Sequence, residues 1–171
     1  MNAAAAILVG VTSRVVHVKV EGKGSFQNSP ALKEFSRKML DRGFRNFVVD
    51  LNQCSVMDST FMGTLAGIAL RLREFGNGRL LVRNANERNS DLLKNLGLNN
   101  LFEVEPIVPV GRAENNVDAS PLEPVRSIER ADQAACMIEA HEALVDADPE
   151  NLARFKDVLE YLKQDLRAGS K

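Results

Sequence analysis

The chain has 171 residues, of which 44% are hydrophobic and 26% charged, an ordinary composition for a globular protein. A formal net charge of −1 gives no basic field to attract nucleic acid or an anionic membrane, and an aromatic content of 5% argues against a stacking platform for single strands. The two cysteines and the two histidines are isolated in the sequence, so we expect no metal site, no cofactor and no disulfide scaffold. The amino-terminal run has no basic segment and no span of membrane length, which predicts a cytoplasmic protein.

The amino-terminal residues predict a β-hairpin. Two β-branched runs, Ile7 to Val11 and Val15 to Val20, flank Thr12-Ser13-Arg14. In the second run valines alternate with polar residues, so we expect one buried face and place His17 on the solvent side.

A loop and a helix are predicted next. Glu21 to Asn28 contains two glycines and is assigned to the loop. The helix then begins with Ser29 as N-cap and Pro30 at N1, and it ends before Gly43, a residue suited to the left-handed position after a helix.

The stretch from Val48 to Leu65 predicts a strand, a loop and a helix. The apolar run closed by Asp50-Leu51 indicates a buried strand, and the polar residues Asn52 to Ser55 predict a loop. Asp58-Ser59-Thr60 is a helix start in front of an apolar-periodic segment that runs to about Phe75. This helix contains Gly63 and Gly67; each costs about 1 kcal/mol against Ala, so we expect close packing of the helix on the sheet.

The alternation continues after a turn at residues 76–78. Arg79 to Arg83 predicts a strand, Asn84 to Asn89 a polar connection, and Ser90 or a neighbour the cap of a short helix ended by Gly97. Leu101 to Val104 is a last strand or the lead into one. Strands that alternate with helices predict an α/β domain with a mixed or mostly parallel sheet covered by helices.

The order Asp50-Leu51, Val56-Met57-Asp58-Ser59-Thr60, Gly63 and Leu65 resembles the signature of the STAS domain. That family includes bacterial anti-sigma factor antagonists and the cytoplasmic domains of sulphate transporters, and the resemblance covers roughly Val15 to Val104. It implies a STAS-like domain over residues 1–105 that binds a serine-kinase anti-sigma factor. It also implies phosphorylation, which turns binding off, and a metal-dependent serine phosphatase that resets the protein.

The resemblance places the phosphorylation acceptor at Ser59, and Thr60 offers a substitute hydroxyl. The family's usual pattern has Gly where this chain has Phe61, whose side chain is either a partner anchor or an obstacle to a kinase. Asp58 either caps the helix or orients the hydroxyl. The predicted partner-binding residues are Asp58, Phe61, Met62, Asn28 and Ser29.

Other interpretations of the same residues are structural or enzymatic. Asp-Ser-Thr before a helix is also ordinary N-cap chemistry. An enzyme is not expected, because no His accompanies Ser59 at a recognisable spacing and neither a G-x-S-x-G elbow nor a phosphate-binding loop is present. Cys54 is predicted to be a small buried side chain. The remaining alternative is a STAS scaffold without phosphorylation, or a self-assembling interaction module.

The carboxy-terminal third has a different character. Residues 106–126 contain four prolines and predict a linker or strap. Residues 127–171 predict an antiparallel helical hairpin, with one helix over Ser127 to Val145 and a second that begins at Asp148-Pro149-Glu150. A lone hairpin cannot bury both apolar faces, so it must pack on the domain, on a second copy in a homodimer, or on a partner.

Overall fold

The computed structural model describes residues 6–107, 120–121 and 130–168. Within these residues the protein forms a six-stranded mixed sheet in the order β5-β4-β3-β2-β1-β6. The strands are β1 (Ala6–Thr12), β2 (Val15–Gly24), β3 (Asn46–Met57), β4 (Arg79–Ala85), β5 (Glu103–Pro106) and β6 (Ser120–Pro121). The α-helices are α1 (Ser29–Asp41), α2 (Ser59–Glu74), α3 (Glu87–Asn95), α4 (Arg130–Ala147) and α5 (Asn151–Ala168), and a short 3-10 helix spans Leu98–Asn100. The predicted α/β class with a mixed sheet and a helical pair is confirmed.

The amino-terminal hairpin is present as predicted. β1 and β2 pair antiparallel, with Val9 opposite Val18, and Ser13 and Arg14 form the turn between them. Both turn residues have positive φ, 50° and 65°, as the two-residue turns that match strand twist require. The pairs β2–β3, β3–β4 and β4–β5 are parallel.

The predicted loop at Asn52 to Ser55 is wrong, and the predicted loop at Glu21 to Asn28 is wrong up to Gly24. β2 continues to Gly24 and β3 continues to Met57, and the extensions pair with each other across a shifted register. Their polar side chains, such as Gln53 and Ser55, are exposed, while the backbone between them is paired along the sheet. Polar composition therefore marks an open strand face here rather than a loop, because ladder hydrogen bonds do not depend on side-chain polarity.

Three helix starts are displaced from their predicted positions. Asn28, rather than Ser29, is the N-cap of α1, and a proline lies in the first turn. Asn86, rather than Ser90, caps α3 and accepts a hydrogen bond from the backbone of Asn89. α5 begins at Asn151 because Asp148 forms the preceding turn instead, where its carboxylate accepts the backbone N–H of Glu150 at 3.1 Å.

One face of the sheet forms the core. Its side chains are buried against the helices, and they include Val16, Val18, Val20, Phe47, Val49, Leu51, Leu80 and Val82. His17 lies on the opposite face, as predicted, but it is half-buried rather than fully solvated. Burial first, and then the charge of Arg83, lowers the pKa of His17.

The carboxy-terminal hairpin packs on its own domain. Ala143 and Leu144 of α4 belong to the main core, while Ile138, Leu159 and Leu162 form a second cluster between α4 and α5. At the turn of the hairpin, Asn151 is 1% exposed. Its amide donates to the backbone carbonyls of Leu96 at 2.9 Å and Leu144 at 2.7 Å. Of the three packing modes open to the hairpin, the structure shows the intramolecular one.

The predicted linker contains a strand where it is described. β6 pairs with β1, with Pro121 opposite Leu8, so this part of the segment extends the sheet edge. At the start of the predicted linker, Pro106 ends β5 and the N–H of Ile107 donates to the carbonyl of Ala85. Residues 108–119 and 122–126 of the predicted linker, and residues 127–129 of the predicted first tail helix, lie outside the described residues. Among the helices that the structure describes, none is both long and apolar enough to cross a membrane.

Candidate functional site

Asp58 joins the start of α2 to the loop after β2. Its backbone is extended, with φ −90° and ψ 173°, as expected for an N-cap. One carboxylate oxygen accepts the N–H of Phe61 at 2.8 Å, and the other accepts the N–H of Phe26 at 2.8 Å. The carboxylate therefore caps α2 and also fixes the neighbouring loop, which decides in favour of the capping role.

Ser59 is the first residue of α2, and it is bonded to a histidine of the hairpin. Its Oγ lies 2.9 Å from Nε2 of His141, while Nδ1 of the same ring lies 2.7 Å from the carbonyl of Met137. Because a carbonyl can only accept, Nδ1 carries the proton, and in the neutral ring Nε2 accepts from the Ser59 hydroxyl. His141 is 2% exposed and stacks edge-on against Phe155, with 5.1 Å between ring centres.

The glycines of α2 make room for α4. A Cβ on Gly63 would lie 2.2 Å from the backbone oxygen of Ala140, whereas a Cβ on Gly67 would meet the methyl group of Ala143 at 3.9 Å. The expected close approach is therefore real. However, it is an approach of helix on helix, not of helix on sheet, and it places α4 over the same helix that begins with Ser59.

The predicted apolar contact residues are buried. Phe61 is 0% exposed and Met62 is 4% exposed. The ring of Phe61 occupies space left by Gly24, where a Cβ would lie 2.6 Å from the ring. Phe61 thus points into the core and is neither a surface anchor nor an obstacle at the surface in this arrangement. Thr60, the substitute acceptor, is 3% exposed.

The two predicted contact residues before α1 hold the loop that Asp58 binds. Asn28 accepts the N–H of Ser25 at 2.9 Å and donates to the carbonyl of Lys23 at 3.0 Å. Ser29 is fully buried, and its hydroxyl donates to the carbonyl of Ser25 at 2.7 Å. Both side chains support the loop beside the start of α2, and their predicted role in partner binding stays a prediction.

The Ser59–His141 pair was missed by the sequence analysis. The two residues are 82 positions apart, and α4 carries no motif that marks His141. A hydroxyl that donates to an oriented imidazole has the arrangement of a nucleophile and its base. Here the imidazole is enclosed, and a cleft of about 400 Å³ lies elsewhere, beside Arg73, Gly78 and Phe102. The pair is a contact between α2 and α4, and we assign no catalysis to it.

Neither thiol has the environment of a reactive cysteine. Burial raises the pKa of Cys54 in β3 and of Cys136 in α4, and the exposed fractions are 2% and 7%. The prediction that Cys54 is buried is confirmed. Within the described residues, no group of three or more His, Cys, Asp or Glu side chains could hold a metal ion.

Fold and site together define an α/β domain whose distinctive feature is the capped start of α2 after β3. Residues 7–109 match the family described as "Mlab, STAS domain", and the chain belongs to this STAS family. Both α4 and α5 lie beyond the matched residues. No curated protein matches the sequence significantly.

Several solved structures share this fold, and two of them illustrate the likeness. An anti-sigma factor antagonist from Mycobacterium paratuberculosis has 21% identity and a TM-score of 0.55, over 62% of this chain and 91% of that one. A candidate anti-sigma factor antagonist from Thermotoga maritima has 17% identity and a TM-score of 0.54, over 58% of this chain and 86% of that one. At these identities the likeness shows the fold alone.

Proposed function

We propose that this protein is a cytoplasmic regulator of transcription, resembling anti-sigma factor antagonists, that binds a serine-kinase anti-sigma factor. Phosphorylation of Ser59 by that kinase ends the binding, and a metal-dependent serine phosphatase restores it. The observation that supports the proposal is the position of Ser59. It is the first residue of α2, directly after the capping Asp58, and the resemblance to anti-sigma factor antagonists implies the acceptor serine at this position.

The amino terminus of α2 is electrostatically favourable for a phosphate on Ser59. A helix amino terminus carries unpaired N–H groups and about half a positive charge. A phosphoserine adds roughly −1.5 to −2 charges. The charge therefore meets a favourable field from α2, so we expect the sheet and α2 to stay folded when Ser59 is modified.

A phosphate on Ser59 favours the helix start but is expected to weaken the binding of a partner. A surface that docks around Asp58 and Ser59 would acquire a second strong negative charge beside the first. Like-charge repulsion and desolvation at an interface can cost several kcal/mol, about the difference between tight binding and none.

A second function is favoured by the packing of α4 over Ser59. The hydroxyl is already bonded to His141, and α4 packs directly on α2. A protein kept in this state would be a STAS scaffold that binds partners without phosphorylation, through the exposed surface of the domain or of the hairpin.

An affinity capture from native lysate separates the two functions. The baits are the wild-type chain, Ser59→Asp and Ser120→Asp, which adds the same charge at an exposed position of β6 on the far edge of the sheet. We expect wild type and Ser120→Asp to capture a kinase that Ser59→Asp loses, as read by mass spectrometry. Identical partners on all three baits would contradict the phosphorylation switch and support the scaffold.

A further inference from the structure

The carboxy-terminal hairpin occupies the face on which phosphorylation is proposed. α4 touches α2 from Ser59, through its hydrogen bond to His141, to Gly67, which lies against Ala143. Between these points the two backbones meet, since Gly63 leaves no room for even a methyl group under Ala140. A protein that is to reach the Ser59 hydroxyl therefore meets α4 first.

Phosphorylation of Ser59 breaks its hydrogen bond to α4. It replaces the hydroxyl proton by phosphorus and three acceptor oxygens, and these do not fit into the 2.9 Å between Oγ and Nε2 of His141. Two further contacts hold the imidazole in this position, since Nδ1 is bonded to the carbonyl of Met137 in its own helix and the ring is packed against Phe155.

The acidic side chains of α4 lie on its solvent side. Its residues from 130 to 147 include four acidic side chains and one basic one, Arg130. The acidic residues are Asp132, Glu139, Glu142 and Asp146, and all four are exposed. Of these, Glu139 pairs with Lys33 of α1, and Glu142 pairs with Lys163 of α5. The exclusion of a phosphate therefore rests on the hydrogen bond and the packing at Ser59 and not on repulsion by these charges.

The contact that holds α4 over Ser59 is built from small groups. Ala140 and Ala143 are buried there, opposite Gly63 and Gly67 of α2. Alanine and glycine bury little apolar surface each, so the fit depends on shape, and a misfit at one point affects the whole contact.

From these contacts we infer that the hairpin is an intramolecular cover of the Ser59 face, and that phosphate on Ser59 and docked α4 exclude each other. The unmodified chain is the covered form. Phosphorylation, or a partner that displaces α4, exposes the groove of α2 along Gly63 and Gly67. The inference rests on the proposed function only for the source of the phosphate.

The reactivity of the two cysteine thiols measures whether α4 is docked on α2. Cys136 lies in α4, so release of α4 should expose its thiol and return its pKa toward the ordinary range, whereas Cys54 in β3 stays buried. The full chain is made with phosphoserine in place of Ser59, or in place of the exposed Ser120 as the control. Alkylation of each cysteine by iodoacetamide is then followed by peptide mass spectrometry.

We expect phosphoserine at position 59 to speed alkylation of Cys136 by about tenfold or more, the signature of local opening, while Cys54 stays slow. Phosphoserine at position 120 should leave both rates unchanged. The inference is overturned if Cys136 remains as slow as in the unmodified chain. It is also overturned if both cysteines become reactive together, because the phosphate then unfolds the domain instead of releasing α4.

A second pair of variants tests the cover without any charge. Gly63→Ala places a methyl group against the backbone of Ala140, and Gly67→Ala adds the same group where there is room. Gly63→Ala should raise Cys136 reactivity selectively, and Gly67→Ala should not. If Cys136 reacts no faster in Gly63→Ala than in Gly67→Ala, α4 does not need the close fit at Gly63 to stay docked.

The outcome of these measurements does not depend on whether the proposed function is correct. Phosphoserine is installed during synthesis and needs no kinase, so release of α4 can be seen even if no kinase is ever captured. Conversely, capture of a kinase with an unchanged Cys136 rate would leave the proposed function standing and refute the cover.

Discussion

A single carboxylate, that of Asp58, connects two parts of the site. It accepts one backbone N–H from α2 and one from the loop that follows β2, and that loop also contains Asn28. The residues predicted to contact a partner are in this way the residues that build the helix start. Their types agree with both roles, because short polar side chains serve backbone capping and surface recognition alike.

The hydrogen bond between Ser59 and His141 can be measured at the scale of the pair. Ser59→Ala removes the donor and leaves Nε2 of a buried imidazole unpaired, which we expect to lower the free energy of unfolding by about 1–3 kcal/mol. In a His141→Phe background, the same substitution should cost close to nothing. Urea unfolding of the four proteins in this double-mutant cycle gives the interaction energy.

A matched serine controls for general effects of losing a buried hydroxyl. Ser36 is 4% exposed, and its hydroxyl donates to the carbonyl of Lys33 within α1. Ser36→Ala should therefore cost the same whether position 141 is His or Phe. If the loss on Ser59→Ala were also independent of residue 141, the two side chains would not be bonded in solution.

Among the elements, the sequence predicted α2 correctly but not the second half of β3, the strand that precedes it. The Asp-Ser-Thr start, the apolar period and the end near Phe75 are all found in the structure, because capping and burial act within the helix itself. The predicted loop at Asn52 to Ser55 is wrong because the partner of that segment is the extension of β2, about thirty residues earlier in the chain. A pairing of that kind is set by the sheet and leaves little trace in local composition.

The two glycines of α2 give a prediction at the scale of the helix pair. Gly63→Ala forces a methyl group into the backbone of α4, and overpacking of this kind costs about 1–3 kcal/mol. Gly67→Ala meets ordinary contact distances, so the better helix propensity of alanine should raise stability by up to about 1 kcal/mol. Urea midpoints of the two variants against wild type test this difference in sign. A loss of equal size at both positions would contradict the seating of α4 on α2.

On the scale of the whole molecule, the carboxy-terminal hairpin buries one face of the domain that would otherwise contact solvent. A chain that ends at residue 126 lacks α4 and α5, so the face of α2 along Gly63 and Gly67 loses its cover. Uncovered apolar surface of this kind favours association, and we expect the truncated chain to self-associate or to lose solubility. Size-exclusion chromatography with light scattering, against the full chain over the same concentration range, measures the change. A truncated chain that stays monomeric and equally soluble would show that the hairpin is dispensable as a cover.

The sequence alone determined the class of the fold, the hairpin of β1 and β2 and the start of α2. Each of these depends on interactions between residues near one another in the chain: a turn, a cap or a periodic apolar face. The tertiary structure decided the rest. It brought His141 onto Ser59 across 82 positions, turned Phe61 inward over Gly24, and seated α4 on Gly63. These contacts depend on shape and on unused hydrogen-bonding groups that meet only when distant segments pack together, and no spacing along the chain encodes them.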